Sequence, residues 1–203
     1  MMKDIILSGL SKTFCDHVVF NDFSMVIPIG KVTCLMAPSG AGKTTLLRIL
    51  LGLLSADSGS ISNLEGHTFS VVFQEDRLLE QMTPISNIRL VSPALSRESI
   101  LTALEGFGLR NCAEQPVEEL SGGMKRRVSL LRALLSDGDF LILDEPFKGL
   151  DEGTKQLVIQ KTLDLSKDRT VLFVTHDPIE ASLMHAETIL LKYGKTQATW
   201  FPD

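Results

Sequence analysis

The sequence predicts an α/β fold in which a mostly parallel β-sheet core is covered by helices on both faces. From residue 121 onward, helical and strand patterns alternate, which is typical of parallel strands joined by helices. The first third is rich in short apolar runs separated by turn residues, which indicates an N-terminal antiparallel β subdomain. Strand patterns are lost over residues 84–107, which predicts a helical insert.

We therefore expect one domain over residues 1–203. Its core comprises residues 1–80 and 136–203, and about residues 81–135 form a helical subdomain. In the N-terminal part, strands are predicted at residues 5–7, 18–20, 23–27, 32–36 and 69–73. A helix is predicted over residues 44–51 because Gly52 ends its pattern, and a turn over residues 55–60.

The C-terminal part is expected to alternate regularly. Its helices are predicted at residues 124–135, 152–165 and 179–185, and its strands at residues 140–143, 170–174 and 188–191. No internal repeat, linker or low-complexity tract is evident, which favours a subdomain over a separate unit for the insert.

Composition and charge exclude several classes of protein. The 203 residues are 44% hydrophobic and 22% charged, as in ordinary globular proteins. The net charge of -5 argues against a protein whose main ligand is nucleic acid, because such proteins usually present a basic face. The longest apolar stretch, residues 46–54, is far shorter than the roughly 20 residues that span a bilayer. With no secretory signal either, we expect a cytoplasmic protein.

The cysteines and most histidines suggest no site of their own. Cys15, Cys34 and Cys112 lack the paired spacing of a zinc site or disulfide framework, and Cys34 is interpreted as a small core residue. Three of the four histidines have no partner that the sequence indicates, and we interpret them as surface or packing residues. They are His17, His67 and His185.

A glycine-rich loop between a predicted strand and a predicted helix is the first functional motif. Backbone N–H groups in such a loop, together with the helix N-terminus, can surround a polyphosphate. Lys43 can reach the β- and γ-phosphates, and the Thr44 hydroxyl can bind Mg²⁺. The alternative is a plain glycine-rich turn before a helix. The loop and the first helical residues are Ala37, Pro38, Ser39, Gly40, Ala41, Gly42, Lys43, Thr44 and Thr45.

Ala37 departs from the usual phosphate-loop pattern, which begins with glycine. An alanine with positive φ would cost on the order of 1 kcal/mol relative to glycine, whereas at negative φ it costs little. We expect nucleotide binding to survive.

Two carboxylates, Asp144 and Glu145, follow the buried apolar run of residues 140–143. They are expected at the C-terminal end of a parallel strand, where ligands bind in open sheets. Asp144 would help to hold Mg²⁺, and Glu145 would orient or deprotonate the attacking water. An acidic turn ahead of Pro146 is the alternative. With the phosphate loop, this pair predicts a P-loop NTPase with a RecA-like core, and it leaves kinases, GTPases and helicases open.

The segment Leu120-Ser121-Gly122-Gly123-Met124, shortly before that strand, resembles the signature of ABC ATPases. P-loop kinases and GTPases have no such element. Ser121 can cap a helix whose first N–H groups, with those of Gly122 and Gly123, bind an anion. The resemblance implies a head-to-tail dimer in which two ATP molecules lie between opposing motifs. Met124 stands where the family most often has glutamine, and its side chain cannot hydrogen-bond a ribose across the dimer.

Other family landmarks follow in the expected order, so the resemblance covers nearly the whole chain. Phe14 resembles the aromatic that stacks on adenine, and Gln74 the glutamine that senses Mg²⁺ and couples the insert to the nucleotide. Asp151 lies in a segment similar to the D-loop, and His176 resembles the switch histidine at the γ-phosphate. Taken singly, Phe14 is more often a core aromatic, and His176 a capping or solvated histidine.

The resemblance implies an ABC transporter ATP-binding subunit that uses ATP and Mg²⁺. Residues 73–79 resemble a segment of nitrate, sulfonate and taurine importer ATPases. The implied partners are a second ABC subunit (a homodimer), separate transmembrane permease subunits, and a solute-binding protein acting through the permease. The protein would then be peripheral on the inner face of the cell membrane. A soluble ABC ATPase acting on nucleic acid or ribosomes is the alternative, and the chain length and negative charge weigh against it.

Overall fold

The computed structural model describes residues 3–15, 17–38, 40–191 and the backbone of residues 200–201. Its strands are β1 (Ile5–Phe14), β2 (His17–Ile27), β3 (Val32–Met36), β4 (Ser58–Ser62), β5 (Phe69–Val72), β6 (Phe140–Asp144), β7 (Thr170–Thr175), β8 (Glu187–Leu190) and β9 (Trp200–Phe201). Its α-helices are α1 (Lys43–Leu50), α2 (Pro84–Arg89), α3 (Arg97–Gly106), α4 (Gly122–Leu134), α5 (Glu152–Leu165) and α6 (Pro178–Leu183). Short 3-10 helices cover Arg110–Cys112 and Val117–Glu119.

The strands form two sheets. An antiparallel sheet has the order β2-β1-β4, and a six-stranded sheet has the order β5-β6-β7-β3-β8-β9. In the larger sheet every described pairing is parallel except that of β8 with β9. The predicted fold class, a mostly parallel core with an N-terminal antiparallel β part, is confirmed, and helices α2 to α4 lie between β5 and β6, where the insert was predicted.

Alternate residues of the central strands separate two hydrophobic cores. On β6, Phe140 and Ile142 pack toward the antiparallel sheet and α1, whereas Leu141 and Leu143 pack toward the remaining helices. All four side chains are fully buried. Burial on both faces explains why this strand is a continuous apolar run.

The predicted turn over residues 55–60 was wrong at its C-terminal end, because Ser58–Ser62 forms strand β4 against β1. This strand is mostly exposed and lacks apolar alternation, so only its backbone pairing makes it a strand. A Cβ at Gly59, whose φ is 92°, would lie 2.5 Å from the carbonyl oxygen of Gly9. The two runs predicted at residues 18–20 and 23–27 form one strand, β2, which continues through Asp22 at φ 57°.

The side chain of His67 makes a contact that the sequence did not indicate. The His67 Nδ1 lies 2.5 Å from Asp139 Oδ2, which links the start of β5 to the start of β6. His185, at φ 50°, follows the last turn of α6. Cys34 is fully buried in the core, as predicted. Within the described part of the chain, the structure contains no helix with the length and apolar character to cross a membrane.

Candidate nucleotide site

A cleft of about 320 Å³ lies at the C-terminal ends of β3 and β6, beside the tip of the β1–β2 hairpin. It brings together residues from the hairpin, the phosphate loop, the segment after β5 and the end of β6. They are Phe14, His17, Val19, Gly40, Gly42, Lys43, Thr44, Thr45, Gln74, Asp144 and Glu145. All of these except His17 and Val19 were predicted site residues, so nine of the predicted residues line one cleft.

The loop between β3 and α1 depends on glycine at two positions. Gly40 has φ 80°, and Gly42, which precedes the first residue of α1, has φ 93°. The Lys43 ammonium donates to the carbonyl oxygens of Ala37 at 2.8 Å and Pro38 at 3.1 Å, so it lies over the loop. Ser39 lies outside the described residues.

Ala37 is not among the described residues with positive φ, so the alanine carries no left-handed strain. Its side chain is buried in the core beside α1. The departure from glycine therefore costs little in this loop, as expected for negative φ.

Asp144 and Thr44 face each other across the cleft. Thr44 Oγ1 lies 3.4 Å from Asp144 Oδ2. Burial, and then the neighbouring charge of Glu145, raise the pKa of Asp144, although Thr44, Arg126 and Lys43 oppose the rise. A buried carboxylate with this environment, beside a hydroxyl and the amide of Gln74, suits a hard cation such as Mg²⁺.

Glu145 has a strained backbone at φ 47°, a region that costs a non-glycine residue about 1–2 kcal/mol. Its N–H donates to the carbonyl of Val174 on the neighbouring strand. Its carboxylate lies 2.9 Å from Lys148 Nζ and 3.6 Å from His176 Nδ1. Burial raises the pKa of Glu145, but Lys148, His176 and Lys43 outweigh it and hold that pKa below its usual range. The carboxylate is therefore ionised at neutral pH.

His176 lies at the end of β7, with its side chain largely exposed toward Glu145. Its neighbours are held by buried contacts: the Thr175 hydroxyl lies 2.5 Å from Glu180 Oε2 and accepts from the N–H of Asp177. Asp177 in turn caps α6 by accepting from Ile179. The backbone around the histidine is thus well supported, while its ring remains accessible.

The hairpin contributes an aromatic that is not a core residue. Phe14 is 45% exposed and lines the cleft, which favours a ligand-stacking role over the core alternative. His17, its partner in the β1–β2 register, lines the cleft as well. Sequence reasoning missed His17 because its position depends on that pairing.

The signature and D-loop residues lie elsewhere. Of the described residues, Ser121, Gly122, Gly123 and Asp151 are not among those lining the cleft. Ser121 is exposed and caps α4 by accepting from the N–H of Met124 at 3.3 Å. Asp151 caps α5 in the same way through Thr154. Met124 is half-buried and packs against the core.

This fold and site define a P-loop nucleoside triphosphatase. The family model described as "ABC transporter" matches residues 20–148, and the chain belongs to that family. It is similar to an aliphatic sulfonates import ATP-binding protein of Rhodococcus jostii (strain RHA1), 38% identical over 91% of this chain and 78% of that protein. It is also similar to the Nod factor export ATP-binding protein I of Rhizobium sp. (strain N33), 34% identical over 98% and 71%.

A solved structure of a dimeric ATP-binding cassette, in a post-hydrolysis state bound to ADP and Pi, covers 93% of this chain and 94% of its own, with 26% identity and a TM-score of 0.80. The prediction of an ABC transporter ATPase is confirmed, and the chain is an ATP-hydrolysing enzyme.

Proposed function

We propose that this ATPase is the motor of an importer, that it works on the inner face of the cell membrane, and that it drives separate transmembrane permease subunits. The observation that carries the ATP-driven part of the proposal is that one cleft unites Lys43, Thr44, Gln74, Asp144 and Glu145. The import direction is supported by the likeness to a sulfonate import protein, although a relative named for export is also similar.

In the proposed site, the polyphosphate of ATP lies on the loop before α1. Lys43 moves from the carbonyls of Ala37 and Pro38 to the phosphates, since a charge-assisted bond to phosphate is stronger than one to a neutral carbonyl. Phe14 stacks on the base. Thr44, Asp144 and Gln74 would hold Mg²⁺, which would supply charge neutralisation at the phosphates.

Glu145 is proposed to orient and deprotonate the attacking water. Glu145 is next to the proposed metal ligand Asp144 but is not itself a proposed ligand. Its ionised carboxylate can therefore contact water rather than the metal. His176, 3.6 Å from Glu145, is close enough to contact both that water and the γ-phosphate after a small movement.

A second copy of this chain is proposed to complete each site. The exposed N-terminus of α4 offers the hydroxyl of Ser121 and the N–H groups of Gly122 and Gly123 to an anion, but it does not line the described cleft of its own chain. Two copies arranged head to tail would place each such terminus on the partner's ATP. Asp151, the N-cap residue of α5, would lie at the same interface.

The permease is proposed to dock between the core (residues 1–80 and 136–203) and the helical subdomain (about residues 81–135). Both parts carry exposed apolar side chains: Leu53 (62% exposed) and Leu79 (50%) in the core, and Leu90 (56%) in the helical subdomain. Exposed apolar residues of this size are typical of interaction surfaces when they cluster. A solute-binding protein would then act through the permease.

The test of the transport proposal is recovery of the native complex. The tagged chain, isolated from detergent-solubilised membranes of its source cells, should bring integral membrane subunits with it. Leu90→Asp should weaken that recovery, and Leu157→Asp, at an exposed leucine of α5, is the matched control. Recovery with ribosomes or nucleic acid instead would favour the alternative of a soluble ABC ATPase and would contradict the proposal.

A further inference from the structure

Arg126 is a buried charged residue that lies outside the cleft and outside every motif discussed above. It is on the second turn of α4, after the signature, and is only 5% exposed. Burying a guanidinium is costly unless its donors are matched with acceptors. Its contacts therefore indicate what this position is for.

Those contacts join two separate parts of the site. Nη2 donates to the carbonyl oxygen of Asp144 and, at 2.6 Å, to that of Glu145. Nη1 donates to the carbonyl of Phe73 at 2.6 Å and to Asp76 Oδ1 at 3.1 Å. One planar group thus holds the backbone of both carboxylates and the segment on either side of Gln74.

Arg126 holds the backbone at the C-terminal end of β6, and this backbone includes the strained residue Glu145. Glu145 has left-handed φ, and such a conformation persists only when its surroundings determine it. The hydrogen bond to the Asp144 carbonyl is buried and that to the Glu145 carbonyl is partly buried, and a buried carbonyl needs a donor. Arginine can supply several donors in fixed geometry, whereas the ammonium of lysine is a point charge on a flexible stem.

We propose that Arg126 is a positioning residue for hydrolysis: it fixes the strained backbone of Glu145 relative to the Gln74 segment and ties both to the signature helix α4. A movement of α4 on nucleotide binding or dimerisation is thereby transmitted to Glu145 and Gln74 together. This inference rests on the proposed role of Glu145.

The same helix provides a matched control. Arg132 donates to the carbonyl oxygens of Arg77 and Asp76, at 2.9 and 3.3 Å. Among the hydrogen bonds of the described residues, it has none to Asp144 or Glu145. Arg132 therefore supports the segment after Gln74 without reaching the strained turn.

The test compares Arg126→Lys with Arg132→Lys in the full chain. Steady-state hydrolysis of Mg-ATP gives kcat and KM, and mant-ATP fluorescence gives nucleotide affinity. For Arg126→Lys we expect kcat to fall about tenfold or more, with KM and affinity within about twofold of the wild type, because the loss concerns the reacting geometry. Arg132→Lys should keep kcat within about twofold of the wild type.

A second comparison separates positioning from general stability. In a Glu145→Gln background, Arg126→Lys should lower the residual single-turnover rate much less than it lowers kcat in the wild-type background, because the part of its effect that acts through Glu145 is already lost. The proposal is overturned if Arg126→Lys retains wild-type kcat, if it lowers affinity as much as kcat, or if Arg132→Lys loses as much. If Glu145→Gln alone hydrolyses ATP normally, the role of Glu145 has failed first, and this inference fails with it.

Discussion

Glu145 combines a strained backbone, a partly buried side chain and an ion pair, and each of these affects what its carboxylate can do. Replacing it by glutamine keeps the shape and removes the charge. We expect Glu145→Gln to abolish steady-state hydrolysis, a loss of at least about a hundredfold, because the residue no longer accepts a proton from water. Phosphate release measures the rate.

The same variant should still bind Mg-ATP and form an ATP-dependent dimer, which size-exclusion chromatography detects. A variant that stays monomeric at saturating ATP would contradict the sandwich arrangement rather than the assignment of Glu145. Glu105→Gln, at an exposed glutamate of α3, serves as the control.

Lys148 affects Glu145 through charge. The groups that face Glu145 are Lys148, His176 and Lys43, which lower its pKa, and the neighbouring carboxylate of Asp144. Removing the ammonium in Lys148→Met raises the pKa of Glu145 toward its ordinary value. Since the ionised form is the active one, the acidic limb of the kcat profile should move to higher pH, and activity at neutral pH should change little.

The control for that profile is Lys167→Met, which removes an exposed ammonium that pairs with Asp164 away from the cleft. An unchanged acidic limb in Lys148→Met would show that a group other than Glu145 controls it.

At the scale of an element, helix α1 has a left-handed glycine at each end with very different surroundings. A Cβ on Gly42 would lie 2.5 Å from Val19 Cγ1 and 2.9 Å from the ring of Phe20, so either β2 or the phosphate loop would have to move. We expect Gly42→Ala to weaken ATP binding more than tenfold and to lower the melting temperature.

Gly52, just past the other end of α1, has φ 66°, and a Cβ there would meet no described atom within 4 Å. Gly52→Ala should therefore cost only about 1 kcal/mol of folding free energy and leave ATP affinity intact. Thermal unfolding and mant-ATP titration measure both variants. Equal losses of affinity in the two would mean that the close packing of β2 against the loop is unimportant.

At the scale of the whole molecule, the proposed dimer makes each ATP depend on two chains. Lys43→Ala disables the phosphate loop, and Ser121→Arg disables the signature. In a mixture of the two variants, hybrid dimers contain one intact site, formed by Lys43 of one chain and Ser121 of the other. We expect the mixture to recover single-turnover hydrolysis that neither variant shows alone.

The matched control is a mixture of Lys43→Ala with Lys43→Ala/Ser121→Arg, in which no hybrid has an intact site. If the first mixture is as inactive as the control, the signature does not act across a dimer in this chain.

Much of the candidate site was predictable because phosphate binding depends on local geometry. Gly40, Gly42 and Lys43 form the loop through residues adjacent in sequence, and Asp144 and Glu145 follow directly from a buried strand. The caps at Ser121 and Asp151 are likewise local, since each side chain accepts from an N–H three residues later.

The sequence by itself thus determined the fold class and the order of its functional motifs, because these depend on neighbouring residues. Only the tertiary structure decided that Ala37 is unstrained, that Ser58–Ser62 pairs as a strand and that His17 reaches the cleft. It also decided that Arg126 holds the Asp144 and Glu145 carbonyls from 18 and 19 residues away in sequence. Such contacts depend on which chain segments pack together, and no local pattern records that.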